Sequence, residues 1–155
     1  MSQRTVQHGS FTFEREFAFP PARVFAAWAD REAKEKWFAG PAGQWKPLER
    51  QMEFRVGGRE RARGQWTNGR VSDFQATYHD IVQDKRIVYS YDMYVDDKKI
   101  SVSLATIEFE PVGKGTKLIL TEQGAFLDGY DDAGSRERGT GGLLDALEKS
   151  LGGAQ

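Results

Sequence analysis

A period-two strand that runs into a long amphipathic helix closes this sequence, and the rest of the chain has to supply the surface that helix covers. From Thr116 to Glu122, Leu118, Leu120 and Glu122 share one face. The helix is expected from about Asp131 to Leu151. Asp131 and Asp132 suit its start, as cap and as negative charge at the positive dipole end, and Gly152-Gly153 suits its stop. Its inward stripe reads Arg136, Thr140, Leu143, Leu144, Leu147 and Leu151, three or four apart, with Glu137, Arg138, Asp145, Glu148 and Lys149 outward. Gly139, Gly141 and Gly142 fall inside it, each costing roughly 1 kcal/mol relative to Ala. Two readings follow. Either regular helix begins only at Leu143, or the missing side chains leave room between helix and sheet for a ligand.

Upstream, residues 1–9 are polar and read as a loose tail, with a single domain over 10–155. Phe11 to Phe19 alternates cleanly, with Phe11, Phe13, Arg15, Phe17 and Phe19 on one face. Pro20-Pro21 ends that strand and opens a short helix with Val24, Phe25 and Trp28 inward. Asp30 caps a second helix, REAKEKWF, stopped by Gly40-Pro41. Six strands follow. Residues 48–56 put Met52, Phe54 and Val56 on one face. Residues 59–66 set Ala62, Gly64 and Trp66 against Arg59, Arg61 and Arg63. Asn68-Gly69 is a strong hairpin signal, and the next strand carries Phe74, Ala76 and Tyr78, with a bulge expected near Asp80. Tyr89, Tyr91 and Met93 come next, then Ser101, Ser103, Ala105, Ile107 and Phe109 in one register, then the closing strand. Consecutive strands joined by tight turns are antiparallel neighbours. The class is therefore α+β: one seven-stranded antiparallel sheet, with the final helix as the only element long enough to cover its apolar face.

Composition excludes several functions. The 22 basic and 23 acidic residues leave a net charge of −1, which gives no electrostatic case for nucleic acid. There is no cysteine, which fits a reducing cytoplasm. No apolar run approaches the roughly 20 residues of a membrane span. His8 falls in the tail and His79 faces away from Tyr78. No metal-ligand spacing presents itself, and nothing points to a cofactor.

The order strand–helix–helix–six strands–helix is that of the helix-grip fold. PPARVFAAWADREAKEKWFAGP, Gly57-Gly58, ATIEFEPVGKGTKL and TEQGAFLDGYDDAGSRERGTGGLLDALEKSL together cover about residues 10–151. They resemble the activator-of-heat-shock-ATPase-homologue branch of the START/birch-pollen-allergen-like (SRPBCC) superfamily. The resemblance implies a deep cavity between a curved sheet and the C-terminal helix, and it puts the first and last strands side by side. It does not imply one activity, because the superfamily spans lipid carriers, cyclases, receptors and a chaperone activator.

Within that frame, Arg15 and Glu122 are charged residues on apolar faces. They are expected either to pair inside, as a polar anchor or an acid–base pair, or to reach water separately at the strand ends. Trp28, Trp37, Phe54, Trp66, Phe74, Tyr78, Tyr89, Tyr91, Ser103, Phe126 and Tyr130 are candidates to line the cavity, with Arg136, Thr140, Leu143 and Leu144 from the helix. The alternative for each is ordinary core. Arg136 stands either over the pocket entrance or against Asp132. The leading expectation is binding of a small apolar or aromatic molecule. A cyclase- or hydrolase-type enzyme using Glu122 and Arg15 comes second, and a chaperone-regulating module third.

Overall fold

The computed structural model describes residues 4–152. The elements in chain order are β1 (Val6–Phe17), α1 (Pro21–Ala29), α2 (Arg31–Glu35), β2 (Trp45–Met52), β3 (Arg59–Trp66), β4 (Val71–Val82), β5 (Arg86–Val95), β6 (Lys98–Val112), β7 (Gly115–Leu127) and α3 (Ala133–Gly152). The seven strands form one sheet in the order β1-β7-β6-β5-β4-β3-β2, antiparallel throughout. This is the helix-grip arrangement.

The hairpin turns carry the chemistry their geometry needs. Between β3 and β4, Gly69 has φ +89° and the Asn68 side chain accepts the Arg70 N–H. Between β5 and β6, Asp96 and Asp97 both lie at positive φ, the paired left-handed conformation that matches strand twist. The register of β4 against β5 slips between Tyr78 and Asp80, so His79 is the extra residue of a bulge.

Several boundaries differ from the sequence reading. The stretch read as a loose tail is strand from Val6 onward, because β7 continues to Leu127 and offers it a full edge to pair with; His8 sits opposite Ala125. β2 starts at Trp45 and ends at Met52. It tolerates Pro47 because it is the sheet edge, and its register shifts after that residue. Val56 is 58% exposed rather than inward, whereas Phe54 packs edge-on to Phe25 and Tyr78. α2 stops at Glu35 instead of running to Phe38. The Asp30 side chain caps it at Ala33, and then Lys36 N–H reaches back only to Ala33. That tighter turn swings Trp37 inward, where Nε1 donates to the Ala27 carbonyl at 3.0 Å.

α3 is continuous helix through Gly139, Gly141 and Gly142. Asp132 is its cap, accepting the Ser135 N–H at 2.8 Å; Gly153 lies outside the described residues. Thr140, Leu144, Leu147 and Leu151 are buried and Leu143 is half-buried. α3 does not cover the sheet alone. It rests on β1 and α1, while α1 rests on β6 and β7. The inner face nearer β4 and β5 is filled by aromatic side chains, with Trp28 against Trp37, Trp37 against Phe38 and Phe38 against Phe74. The core therefore has two roofs, one aliphatic under α3 and one aromatic under α1 and α2.

Candidate functional site

The inner face carries two buried polar clusters set in aromatic walls. The first is centred on Glu122 of β7, 4% exposed. Period-two alternation puts it in the row of Leu118 and Leu120, and its cross-strand partners Phe11 and Ala105 leave it facing the interior. Tyr91 of β5 donates its hydroxyl to Glu122 Oε2 at 2.6 Å. Arg136 of α3 donates Nη1 to the Tyr91 oxygen at 2.9 Å, and Nη2 to Ser101 and Asp131 at 2.8 Å each. Arg136 Nη1 is 3.8 Å from Glu122 Oε2. The guanidinium lies over the rings of Tyr91 and Phe126. Burial pushes the Glu122 carboxyl above its usual range, against the Tyr91 hydrogen bond and the Arg136 charge that hold it ionised. Burial and the Glu122 charge push the Tyr91 phenol up. Ser103 stands beside this group, near enough to help hold the Glu122 charge, yet its buried hydroxyl closes no well-formed hydrogen bond.

The second cluster is Lys34, Glu60 and Tyr78. Lys34 Nζ is 2.7 Å from Glu60 Oε1, and the Tyr78 hydroxyl donates to the same oxygen. Lys34 is 1% exposed and its ammonium faces the rings of Trp28, Phe38, Tyr78 and Tyr89, closest to Phe38 at 4.5 Å. Burial drives its pKa down, opposed by Glu60. Beside it the Trp28 Nε1–H is buried without an acceptor.

The sequence candidates thus divide. Glu122, Tyr91, Ser103, Phe126 and Arg136 come together in the first cluster. Tyr78, Tyr89, Trp28, Trp37, Phe54 and Phe74 surround or adjoin the second. Thr140 and Leu144 are buried under α3, with Leu143 half-buried. Trp66 stands at the end of β3, its Nε1 donating to Ser72, close to Trp45. Tyr130 is 51% exposed. Arg15 does not meet Glu122. It is paired with Asp145 of α3 at 2.7 Å, because α3 lies across β1 and offers a carboxylate at the rim. Arg136 pairs with Asp131 rather than with the Asp132 side chain, which is occupied as the cap.

The glycines of α3 do not thin its underside. Gly139 and Gly142 face open space, and only Gly141 approaches the sheet, where a Cβ would sit 3.3 Å from Phe13. Beneath α3 the space is taken by the chain's own leucines. A hollow of about 470 Å³ opens instead on the other face of the sheet, lined by Gln51, Arg59, Arg61, Gln75, Thr77 and Asp92. A recess of about 10 Å³, room for one water, reaches Lys34 and Glu60 from between Arg31, Glu35 and Arg50.

Lys34, Glu60 and Trp45 were missed from sequence. A charged residue in a five-residue helix looks like surface, but Glu60 carries a usable signal: it falls two before Ala62, in the apolar register of β3. Trp45 lies flat where Gly64 has no side chain; a Cβ there would collide with the indole at 2.0 Å.

Among the described residues, no group of His, Cys, Asp and Glu side chains could hold a metal, and no helix is long and apolar enough to cross a membrane.

Solved structures similar to this chain share the whole architecture. An uncharacterized protein from Rhizobium leguminosarum is 44% identical, covers 97% of this chain and 98% of its own, and superposes with a TM-score of 0.91. A protein from Rhizobium loti is 44% identical over 94% of this chain and 99% of its own, with a TM-score of 0.87. One from Chromobacterium violaceum is 26% identical over 92% and 96%, with a TM-score of 0.76. No curated protein matches the chain. The family model described as Activator of Hsp90 ATPase homolog 1-like protein matches residues 18–152. That span takes in both polar clusters and every helix, and the chain belongs to this family.

Proposed function

We propose that this chain binds a small apolar or aromatic molecule on the inner face of its sheet, between β5–β7 and the helices. One observation carries the reading: Glu122 is almost wholly out of water and accepts from Tyr91, with Arg136 bonded to the same Tyr91 oxygen and 3.8 Å from the carboxylate. A buried charged network is costly compared with apolar packing of the same volume. A domain that only had to fold gains nothing from placing one beneath the start of its closing helix. The family's fold is one known for ligand binding, which favours this reading without naming a ligand.

Admission follows from how the site is closed. Arg136 is the latch, with a side chain only 10% exposed and bonds to β5, β6 and the loop before α3. The first half of α3 is its weaker half, since Gly139 and Gly142 each cost roughly 1 kcal/mol of helix stability without any packing gain. Lifting that half breaks the Arg136 contacts and uncovers Tyr91, Ser103 and Glu122. The test is a thermal-shift screen of aromatic and amphiphilic compounds on the full chain and on Arg136→Ala. The reading expects hits whose midpoint shift differs between the two proteins. A screen without hits on either protein contradicts it.

Acid–base catalysis is the second reading, favoured by the raised Glu122 carboxyl beside the Tyr91 hydroxyl. Arg15 has no part in it, being held by Asp145. It expects Glu122→Gln to abolish turnover of a bound substrate while binding survives. A chaperone-directed role ranks last: exposed Val6, Leu48, Val56 and Val112 fall on β1, β2, the loop after β2 and the end of β6, and Val102 with Leu104 makes a row of two on the outer face of β6. We place the activity in the cytoplasm, in keeping with the absence of cysteine.

A further inference from the structure

We propose that the molecule taken by this inner face is uncharged and carries an oxygen acceptor on an aromatic body, and that Trp28 Nε1–H and the Ser103 hydroxyl are the groups that select it. The inference rests on the binding reading above and narrows its ligand.

Charge matching excludes an ionic ligand. Each buried cation of the inner face already has its carboxylate: Lys34 has Glu60 at 2.7 Å, and Arg136 has Asp131 at 2.8 Å with Glu122 at 3.8 Å. An anion entering here finds no free positive group and meets Glu60 or Glu122; a cation finds no free carboxylate. Either one leaves a buried charge uncompensated.

Hydrogen-bond matching excludes a pure hydrocarbon. Trp28 is 3% exposed and its Nε1 has no partner, while Ser103, 2% exposed, stands near enough to Glu122 to help hold its charge without closing a well-formed hydrogen bond. Buried polar groups are almost always paired, because an unpaired one has given up its hydrogen bonds to water without replacement. Indole N–H is donor only, so what completes it is an acceptor. Ser103 donates or accepts. A hydrocarbon supplies neither group, whereas a ketone, ester, amide or ether oxygen answers Trp28 and leaves both ion pairs intact.

Shape points to an aromatic body. Trp28 stacks edge-on to Trp37 at 4.7 Å between ring centres, and Phe74, Tyr89 and Tyr91 form a contiguous ring cluster on the sheet. Small residues Ala76, Ser103 and Ala105 lie among them on the same face, and rings favour edge-on or offset contact with a flat guest.

The experiment uses three probes of nearly one shape: 2-acetylnaphthalene, 2-isopropylnaphthalene and 2-naphthoate. Each is titrated into the ¹⁵N-labelled full chain, and the four indole N–H signals are followed with the backbone signals of Ser103 and Glu122. The expected result is that the acetyl compound binds about tenfold more tightly than the isopropyl compound, the worth of one buried hydrogen bond. Naphthoate is expected to bind most weakly, and the Trp28 indole proton to move downfield only with the acetyl compound. Trp28→Phe, or Ser103→Ala if the first variant does not fold, is expected to shrink the acetyl advantage while hydrocarbon affinity holds. Equal affinity for the acetyl and isopropyl probes, or preference for naphthoate, overturns this inference and leaves the binding reading standing. Failure of all three to perturb any inner-face signal overturns both.

Discussion

Lys34 and Glu60 form an ion pair of 2.7 Å that is almost wholly out of water, with side-chain exposures of 2% and 3%. The Tyr78 hydroxyl completes it, and four aromatic rings close around the ammonium. Removing one partner of such a pair leaves the other charge buried and unmatched, which costs about 3–5 kcal/mol. Lys34→Ala is expected to lose that much in urea denaturation. The triple change Lys34→Met, Glu60→Leu, Tyr78→Phe replaces the cluster by apolar groups and is expected to recover most of the loss. A loss below about 1 kcal/mol for Lys34→Ala speaks for a pair solvated in solution.

Stability should carry a pH signature from Glu122. Its folded-state carboxyl sits above the unfolded value, chiefly from burial. The folded chain therefore binds more protons than the unfolded chain between those two values. Glu122 contributes stability that is fully present below the unfolded pKa and lost as pH rises through the folded one. Glu122→Gln is expected to flatten that decline. Denaturant midpoints for both proteins, from the ordinary carboxylate range up to neutrality, check it. Parallel profiles contradict it.

Glycine replacements in α3 should separate by position. At Gly139 and Gly142 an added Cβ meets nothing, so each Gly→Ala change is expected to stabilise by about 0.5–1 kcal/mol. At Gly141 the Cβ meets the Phe13 ring at 3.3 Å, which offsets the gain. If α3 lifts to admit ligand, the stabilised double variant Gly139→Ala, Gly142→Ala should also slow ligand entry, read by stopped-flow fluorescence. Unchanged entry rates at raised stability count against opening at this end.

The α3 cap gives an independent handle on the same end. Asp132 accepts both the backbone N–H and the hydroxyl of Ser135, and these bonds hold its carboxyl below the usual range. Asp132→Ala is expected to speed amide exchange over the first turn of α3 and to leave the Leu144–Leu151 turns protected. Acidification through the depressed Asp132 pKa should do the same in the parent protein. Uniform exchange along the helix contradicts the two-part view of α3.

Much of this fold was legible because its signals are local. Period-two alternation set the strands, Asn68-Gly69 set a hairpin, and the bulge expected near Asp80 falls one residue earlier, at His79. The family resemblance added the topology, with β1 beside β7. What escaped depended on partners far along the chain. Arg15 and Glu122 both fall on apolar faces, which left open whether they pair inside or reach water separately; Asp145, 130 positions from Arg15, takes it once α3 crosses β1. Lys34 carried no sequence signal, because its carboxylate partner Glu60 lies 26 positions away and only the fold brings the two together. The glycines of α3 left two readings open, a helix beginning only at Leu143 or an underside thinned for a ligand, and neither holds: the helix is continuous through them, and Gly139 and Gly142 face away from the stripe of Thr140, Leu144 and Leu147.

The most direct test of ligand binding on the inner face is a crystal structure of the full chain grown with the tightest binder from the screen. The account predicts density for the compound between α1, the first half of α3 and strands β5–β7, with Arg136 drawn off Tyr91. Density confined to the outer hollow beside Arg59 and Arg61, with the Tyr91–Glu122–Arg136 network unmoved, contradicts it.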